Sequence, residues 1–381
     1  MSTYKAVVLE SPGAPPKVKT VPRPSVAMGS ALVRILYTGL LSYSREIFSG
    51  KPPYPSKFPY TPGTAAIGRI EAVGLDATSL KAGDVVWVDS TITARDDPDT
   101  QVLLALIEGS TPGAKKLSHD VWRNGCYAEN ALVPLESCFA LPDSLFQSRD
   151  AGGLGYHFKD LAMLHSHLVG FGGLEASGVG PASTVIVAPA TGKFSGGAVL
   201  AGLAMGAKVV AAARSREKLE KLHQLPGAKA RLALVQLTGD VEKHTASLLA
   251  STGGKGADVF VDFSPPAASG PTTAPHITAG INALKRGGQA VLEGGIFTDI
   301  GIDYRTVVFK SLVVRGQMGY DRAQIEKFIH MVENGNITLG DRVGLSSRGV
   351  FGLERIEEAL DLAEKGAGWG GDVLLAPNGE V

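Results

Sequence analysis

Between Thr184 and Leu222 the chain places a small-residue turn where a phosphate could be held. Pro189-Ala190-Thr191-Gly192-Lys193-Phe194-Ser195, followed by Gly196-Gly197, separates an apolar run from a stretch with apolar residues at helical spacing. Small residues there let backbone N–H groups approach a pyrophosphate, and the helix N-terminus favours its negative charge. The full pattern asks for three spaced glycines, of which only Gly192 is present. Pro189 has no N–H to donate and Ser195 stands in a glycine position. Thr191, Gly192, Lys193, Phe194 and Ser195 are therefore candidates for the pyrophosphate. The turn taken alone also describes a tight connection in an α/β core.

The far end of the next strand is more discriminating. Val209-Val210-Ala211-Ala212-Ala213 ends without an acid and runs into Arg214, Ser215, Arg216 and Lys218. An Asp or Glu at such a position accepts from a ribose 2′-OH, whereas arginine accommodates a 2′-phosphate. Uncharged Ala213 leaves room for that phosphate, and two guanidiniums and an ammonium can neutralise it. NADPH is the expected cofactor, with Arg214, Ser215, Arg216 and Lys218 as its 2′-phosphate contacts. A solvated charged helix start is the competing reading of Arg216-Glu217-Lys218.

These residues need a framework. At 381 residues the chain exceeds one ordinary domain, and 37 basic against 37 acidic residues point to neither nucleic acid nor an anionic membrane surface. The two cysteines, Cys126 and Cys138, make no disulfide framework, and the first residues carry a strand pattern rather than an apolar signal core. A cytoplasmic protein without membrane spans is expected. Up to about residue 150 short strands prevail, at 6–9, 31–36, 66–73 and 84–88, bounded by Gly or Pro. After Asp160 strands at 185–187, 208–212, 257–262, 289–292 and 312–315 alternate with helices, which predicts a doubly wound parallel sheet. Helices at 324–333 and 353–365 and a strand at 372–376 complete the chain. The stretch 91–123 combines Asp96-Asp97-Pro98-Asp99 with an apolar stripe, Val102 to Ile107. A solvated loop explains the acids better than a metal site does, and the stripe is expected to cover a substrate cleft or a subunit neighbour.

The order of these parts resembles the medium-chain dehydrogenase/reductase superfamily. The resemblance runs nearly end to end, through Tyr37-Thr38-Gly39-Leu40-Leu41-Ser42, Pro62-Gly63-Thr64-Ala65-Ala66-Ile67-Gly68, Leu80 to Val86, Asn124 to Glu129, the strand–turn–helix–strand unit and Phe351 to Leu360. It implies a mixed α/β fold: a GroES-like β-rich catalytic domain over 1–155 and 318–381, and a Rossmann dinucleotide-binding domain over 156–317. Zinc members carry their ligands at the positions of Leu41 and Thr64, and an acid at Ala65, with the third ligand position at His165. Leucine cannot ligate, and one histidine with a threonine does not make a zinc site. Catalysis without a metal is expected.

The same resemblance places Tyr43 where a proton relay stands, as proton donor or as an aromatic wall of the substrate pocket. Ser44 and Ser42 are weaker neighbours, and Tyr54 lines the same cleft. His165 is a donor candidate or a packed histidine. His167 points to a different helix face, and Tyr156 and His157 take no assignment. Phe263-Ser264 and Gly294-Gly295 end strands beside the nicotinamide ribose. Zinc-free relatives lean toward quinone or enoyl reduction, so hydride delivery to an activated C=C bond or a quinone is the expected activity. Ketone or aldehyde reduction, a non-redox step, and cofactor binding without catalysis remain as alternatives. The expected partners are a small-molecule substrate and a second copy of the chain.

Overall fold

Short apolar runs punctuated by Gly and Pro become strands throughout the first 140 residues. The computed structural model describes every residue except Met1, Pro53, Ala367 and Val381. Its chain divides into two units, residues 1–165 with 345–381, and residues 166–344.

The first unit contains β1 (Thr3–Val8), β2 (Lys17–Pro22), β3 (Ser30–Gly39), β4 (Ala66–Val73), β5 (Val85–Val88), β6 (Thr91–Thr93), β7 (Gln101–Leu103), β8 (Asn130–Pro134) and β9 (Cys138–Ala140), with short helices α1 (Ser44–Phe48) and α2 (Pro112–Lys116). β16 (Gly349–Phe351), α11 (Ile356–Lys365) and β17 (Val373–Leu375) return to it from the far end of the chain. The main sheet has the order β16-β17-β3-β4-β5-β9, and β8 also pairs with β3. β3 is its centre. All of its residues but Arg34 are buried, as expected of a strand covered on both faces. The Asn378 side-chain amide donates to Ile35 O and Glu129 O, each at 2.9 Å, and so ties the C-terminal tail to this strand.

The stretch 91–123 is a packed lobe. β6 and β7 form a hairpin, α2 follows, and a single π turn runs Leu117–Val121. Ile92, Val102, Leu104 and Ala114 are buried in one cluster with Ile35, Ile70 and Val133. The stripe expected to cover a cleft or a neighbour therefore begins inside the unit's own core. The acids make a turn: Asp97 accepts from Thr100 Oγ1 at 2.6 Å.

The second unit is an α/β domain. Its strands are β10 (Thr184–Ala188), β11 (Lys208–Ala213), β12 (Leu232–Gln236), β13 (Ala257–Asp262), β14 (Leu284–Leu292) and β15 (Val313–Gly316). Its helices are α3 (Leu164–Ala176), α4 (Lys193–Ala204), α5 (Arg216–Glu220), α6 (Ala228–Arg231), α7 (Val241–Ser251), α8 (Pro275–Asn282), α9 (Tyr304–Lys310) and α10 (Arg322–Glu333). All six strands are parallel, in the order β12-β11-β10-β13-β14-β15. The order reverses between β10 and β13, the switch point at which open α/β sheets bind ligands beyond the carboxyl ends of their strands. Ile186, Val210, Phe260, Ile277 and Ala290 fill one face of the sheet.

The unit boundaries fall later than the expected 155/156 and 317/318. α10 belongs with the second unit because it packs on α3: Phe328 meets Phe171 edge-on at 5.3 Å, and Gln324 donates to Gly172 O at 3.1 Å and to Glu175 at 3.0 Å. Among the described residues no helix is long and apolar enough to cross a membrane.

Candidate functional site

The turn after β10 is built for close packing. Gly192 is the N-cap of α4, and the buried Ser195 hydroxyl accepts from Gly192 N at 2.9 Å. That side chain is thus occupied in closing the turn, and Ser195 can offer a phosphate only its backbone N–H. A Cβ on Gly197 would overlap Ser166 O, and one on Gly170 would lie 2.5 Å from the Ala198 Cα. The two glycines let α3 and α4 touch backbone to backbone.

At the end of β11 the three cations behave differently. Ser215 caps α5, accepting from Lys218 N at 3.2 Å. Arg216 turns along the helix to Glu220, with Nε to Oε1 at 2.6 Å. The Arg214 carbonyl accepts from Gln236 Nε2 at 3.1 Å, while its exposed guanidinium has no partner among the described residues. The Lys218 ammonium is likewise exposed and unpaired among them. Arg214 and Lys218 are uncommitted cations beside a strand that ends in buried Ala213. The Arg216–Glu220 pair is a surface pair of the kind worth under about 1 kcal/mol, easily given up to a phosphate.

The ends of β13 and β14 are laced together. Phe263 N donates to Ala188 O at 3.0 Å, Glu293 N to Asp262 O at 3.0 Å and Gly295 N to Ser264 O at 2.8 Å. Gly294 must be glycine here: a Cβ would lie 2.7 Å from Asp262 Oδ2 and 2.8 Å from both Ser264 N and Ser264 O. Beneath them lies a cluster that the sequence did not disclose. Asp262 Oδ1 accepts from the Ser264 hydroxyl and, at 3.1 Å, from Ser264 N, and His276 Nε2 lies 2.7 Å from the same hydroxyl. Ser264 is visible in the sequence as a strand-end residue. His276 has no periodic or motif relation to it and becomes a neighbour only through the fold of the intervening loop.

In the first unit Tyr43 precedes α1 and stacks on Tyr54, with ring centroids 6.0 Å apart and planes 25° apart. Its hydroxyl has no partner among the described residues. Burial, then the neighbouring Tyr54 and the charge of Glu46, hold the phenol well above its ordinary pKa, so it is a neutral O–H donor. Ser44 is buried and its hydroxyl donates to Leu41 O at 2.8 Å. Tyr127 donates to Gly39 O at 3.0 Å. These neighbours brace the turn and leave Tyr43 as the open donor. His165 and His167 are both buried. Leu41 is buried, Thr64 lies beside Ala65, and among the described residues no group of three or more His, Cys, Asp or Glu could hold a metal.

Two family models match the chain: the alcohol dehydrogenase GroES-like domain over residues 27–143 and zinc-binding dehydrogenase over 196–334. The chain belongs to the medium-chain dehydrogenase/reductase superfamily. Members of this superfamily are nicotinamide-dependent oxidoreductases. An alcohol dehydrogenase of Geobacillus stearothermophilus is 26% identical over 364 residues, which cover 95% of this chain and 96% of that one. A quinone oxidoreductase of Pongo abelii is 24% identical over 350 residues, covering 91% and 88%. Among solved structures, an NAD-dependent alcohol dehydrogenase shares the fold with a TM-score of 0.74 at 21% identity, covering 98% of this chain and 99% of that one. A short chain alcohol dehydrogenase of E. coli CFT073 complexed with NADH has a TM-score of 0.75 at 17% identity, covering 99% and 100%.

Proposed function

We propose that this protein is a zinc-independent, NADPH-dependent reductase that delivers hydride to an activated C=C bond, in an enone or enoyl substrate, or to a quinone. The observation that carries this is an uncommitted, neutral Tyr43 phenol two residues from Leu41, where zinc members carry a metal ligand.

Arg214 and Lys218 supply the charge for the 2′-phosphate, Arg216 can join them on leaving Glu220, and Ala213 leaves space that an acid would close. The backbone from Thr191 to Ser195 faces the pyrophosphate, and Phe263, Ser264, Gly294 and Gly295 border the nicotinamide half. Bound NADPH supplies the hydride. When the hydride adds to the β-carbon of an enone, the C=C electron pair moves toward the carbonyl and negative charge appears on oxygen. Tyr43 donates its O–H to that oxygen and is the source of the proton that completes the reduction. Conjugation spreads the charge, so a single neutral donor suffices where a simple carbonyl relies on stronger polarisation. Tyr54 backs the phenol and offers an aromatic wall to a flat substrate. Ser44, buried, supports the turn around the donor through its bond to Leu41 O.

The alcohol dehydrogenase relatives favour a second reading, reduction of a ketone or aldehyde by the same donor. Initial rates with enones, quinones, ketones and aldehydes, each with NADPH and NADH, separate the two. Turnover of carbonyls alone would favour the second. Tighter NADH than NADPH binding would overturn the cofactor, and activity that disappears with a chelator and returns with Zn²⁺ would overturn metal independence.

The partner, in this proposal, is a second copy of the chain. β15 is an edge strand of the parallel sheet, and Val313, Val314 and Met318 with Tyr304, Val308 and Phe309 of α9 form an exposed apolar surface along it. Unpaired strand edges of this kind invite pairing, and twofold pairing of identical edges closes the assembly. Sedimentation should give a dimer that Val314→Lys dissociates. A monomeric wild type at micromolar concentration would remove the assignment. The two buried thiols of Cys126 and Cys138, which form no disulfide with each other, fit a reducing cytoplasmic setting.

A further inference from the structure

The buried cluster at the end of β13 is a set of ionisable groups that the reduction does not use. Asp262 is 3% exposed and Ser264 1%; Asp262 is the last residue of the strand next to the switch point and Ser264 lies just beyond it. The Ser264 hydroxyl has one proton. Asp262 Oδ1, which also accepts from Ser264 N, takes it. His276 Nε2, 2.7 Å from the same hydroxyl oxygen, must therefore be the donor in that contact, so Nε2 carries a proton. His276 Nε2 also lies 3.5 Å from Asp262 Oδ1. The second residue of α8 is thus joined through one hydroxyl to the end of β13. That end is in turn fastened to the end of β14 by Glu293 N to Asp262 O and Gly295 N to Ser264 O.

A buried polar network is a weak source of stability, since apolar residues of the same volume commonly do as well. What it supplies is direction. The Asp262–Ser264–His276 chain fixes the orientation of the Ser264 and Gly294 backbones, the two tips that border the half of the dinucleotide site on the β13–β14 side. The adenosine half belongs to the β10–β12 side of the switch point. Meanwhile the rest of α8 is anchored in the core by Ile277 and Ile281. The helix therefore does not need His276 to stay in place.

We propose that His276 is a positioning residue for the nicotinamide half of the cofactor, acting through Ser264 and Asp262, with no part in holding the adenosine half. The inference rests on the NADPH assignment and is tested so that the two can fail separately. Equilibrium dissociation constants for NADPH and for 2′,5′-ADP, which carries the adenosine half alone, are measured by calorimetry on the full chain in wild type, His276→Leu and His276→Gln.

Loss of the donor in His276→Leu should weaken NADPH about tenfold, the scale of one buried hydrogen bond. The 2′,5′-ADP affinity should stay as in wild type. Gln, whose amide can donate to Ser264, should restore most of the loss. Ser264→Ala, which removes the bridging hydroxyl, should reproduce the selective loss, and it stands in for His276→Leu if that variant does not fold. Equal weakening of both ligands, or NADPH affinity unchanged in His276→Leu, would overturn the positioning role. A wild type that binds neither ligand would overturn the cofactor assignment itself.

Discussion

Glu293 offers a test of the physical reading at a single atom. It follows Leu292 at the end of β14 and turns toward α3, where its Oε1 occupies the space that a Cβ on Gly173 would need. Both carboxyl oxygens are buried without a well-formed hydrogen bond, and the Gly173 N–H, committed to the helix ladder, offers them only a weak contact. Burial pushes the carboxyl up to about 9, against the opposing pull of the Gly173 N–H and then of the Arg315 charge. The unfolded chain would titrate near the ordinary value of about 4.3.

The sign follows directly. A group whose folded pKa is raised contributes its stability in full below the unfolded pKa and loses it as pH rises toward the folded value. Each pH unit between those limits removes about 1.4 kcal/mol, so pH 5 to 8 removes about 4 kcal/mol at the full shift and about 2 if water entry halves it. Glu293→Gln keeps the shape and abolishes the titration. Urea unfolding of both proteins at pH 5, 6.5 and 8 should show the variant gaining on the wild type by this amount as pH rises. Any fixed penalty for the amide is constant with pH and cancels in the slope. A wild-type-minus-variant difference that stays flat across the range would refute a buried, weakly partnered carboxyl at this position.

His244 should give the opposite slope, because burial lowers its pKa while its Nε2 accepts from Thr238 N at 2.6 Å and Gly239 N at 3.0 Å. The unfolded chain takes up a proton first, so stability present above the unfolded value near 6.5 is lost as pH falls through it, by up to about 1.4 kcal/mol per unit. His244→Gln, followed by urea unfolding at pH 7.5 and 5.5, should lose less over that interval than the wild type. Gly294→Ala should cost about 1–3 kcal/mol through backbone overlap with Ser264, whereas Gly180→Ala, with nothing within 4 Å of the new Cβ, should be neutral or slightly stabilising by thermal unfolding. Ala105, at φ 51°, sits in the left-handed region, and Ala105→Gly should raise the unfolding midpoint through relief of about 1 kcal/mol of strain.

The strands were legible because their signal is local. A run such as Ala257–Asp262 or Ala66–Val73 is apolar, β-branched and bounded by glycine, and the structure ends both strands where those runs end. The alternation of such runs with helices made the parallel sheet legible too. Less local features were not. The boundary near 317 reads as a change of pattern, yet α10 belongs with α3 because Gln324, Lys327 and Phe328 find their partners at Gly172, Glu175 and Phe171, roughly 150 residues earlier. The stripe from Val102 looks like an exposed cover only because nothing local shows that Val102 and Leu104 meet Ile35 and Val133.

The same distinction sorts the site. Arg214, Ser215 and Arg216 were legible as a basic strand end, but only coordinates separate the uncommitted Arg214 from an Arg216 already paired with Glu220. Ser195 reads as a phosphate contact by position, yet its hydroxyl is directed back to Gly192, so a turn short of glycines is closed by a side chain in place of backbone freedom. At the other strand ends the balance is reversed. Gly294 keeps its glycine because Asp262 and Ser264 crowd it, and those two are held by a histidine from another helix. The first half of the proposed nucleotide site thus relies on a side-chain cap and charge, and the second on a buried polar chain. Substitutions in the two halves should accordingly separate in their effects on the two ends of the same ligand.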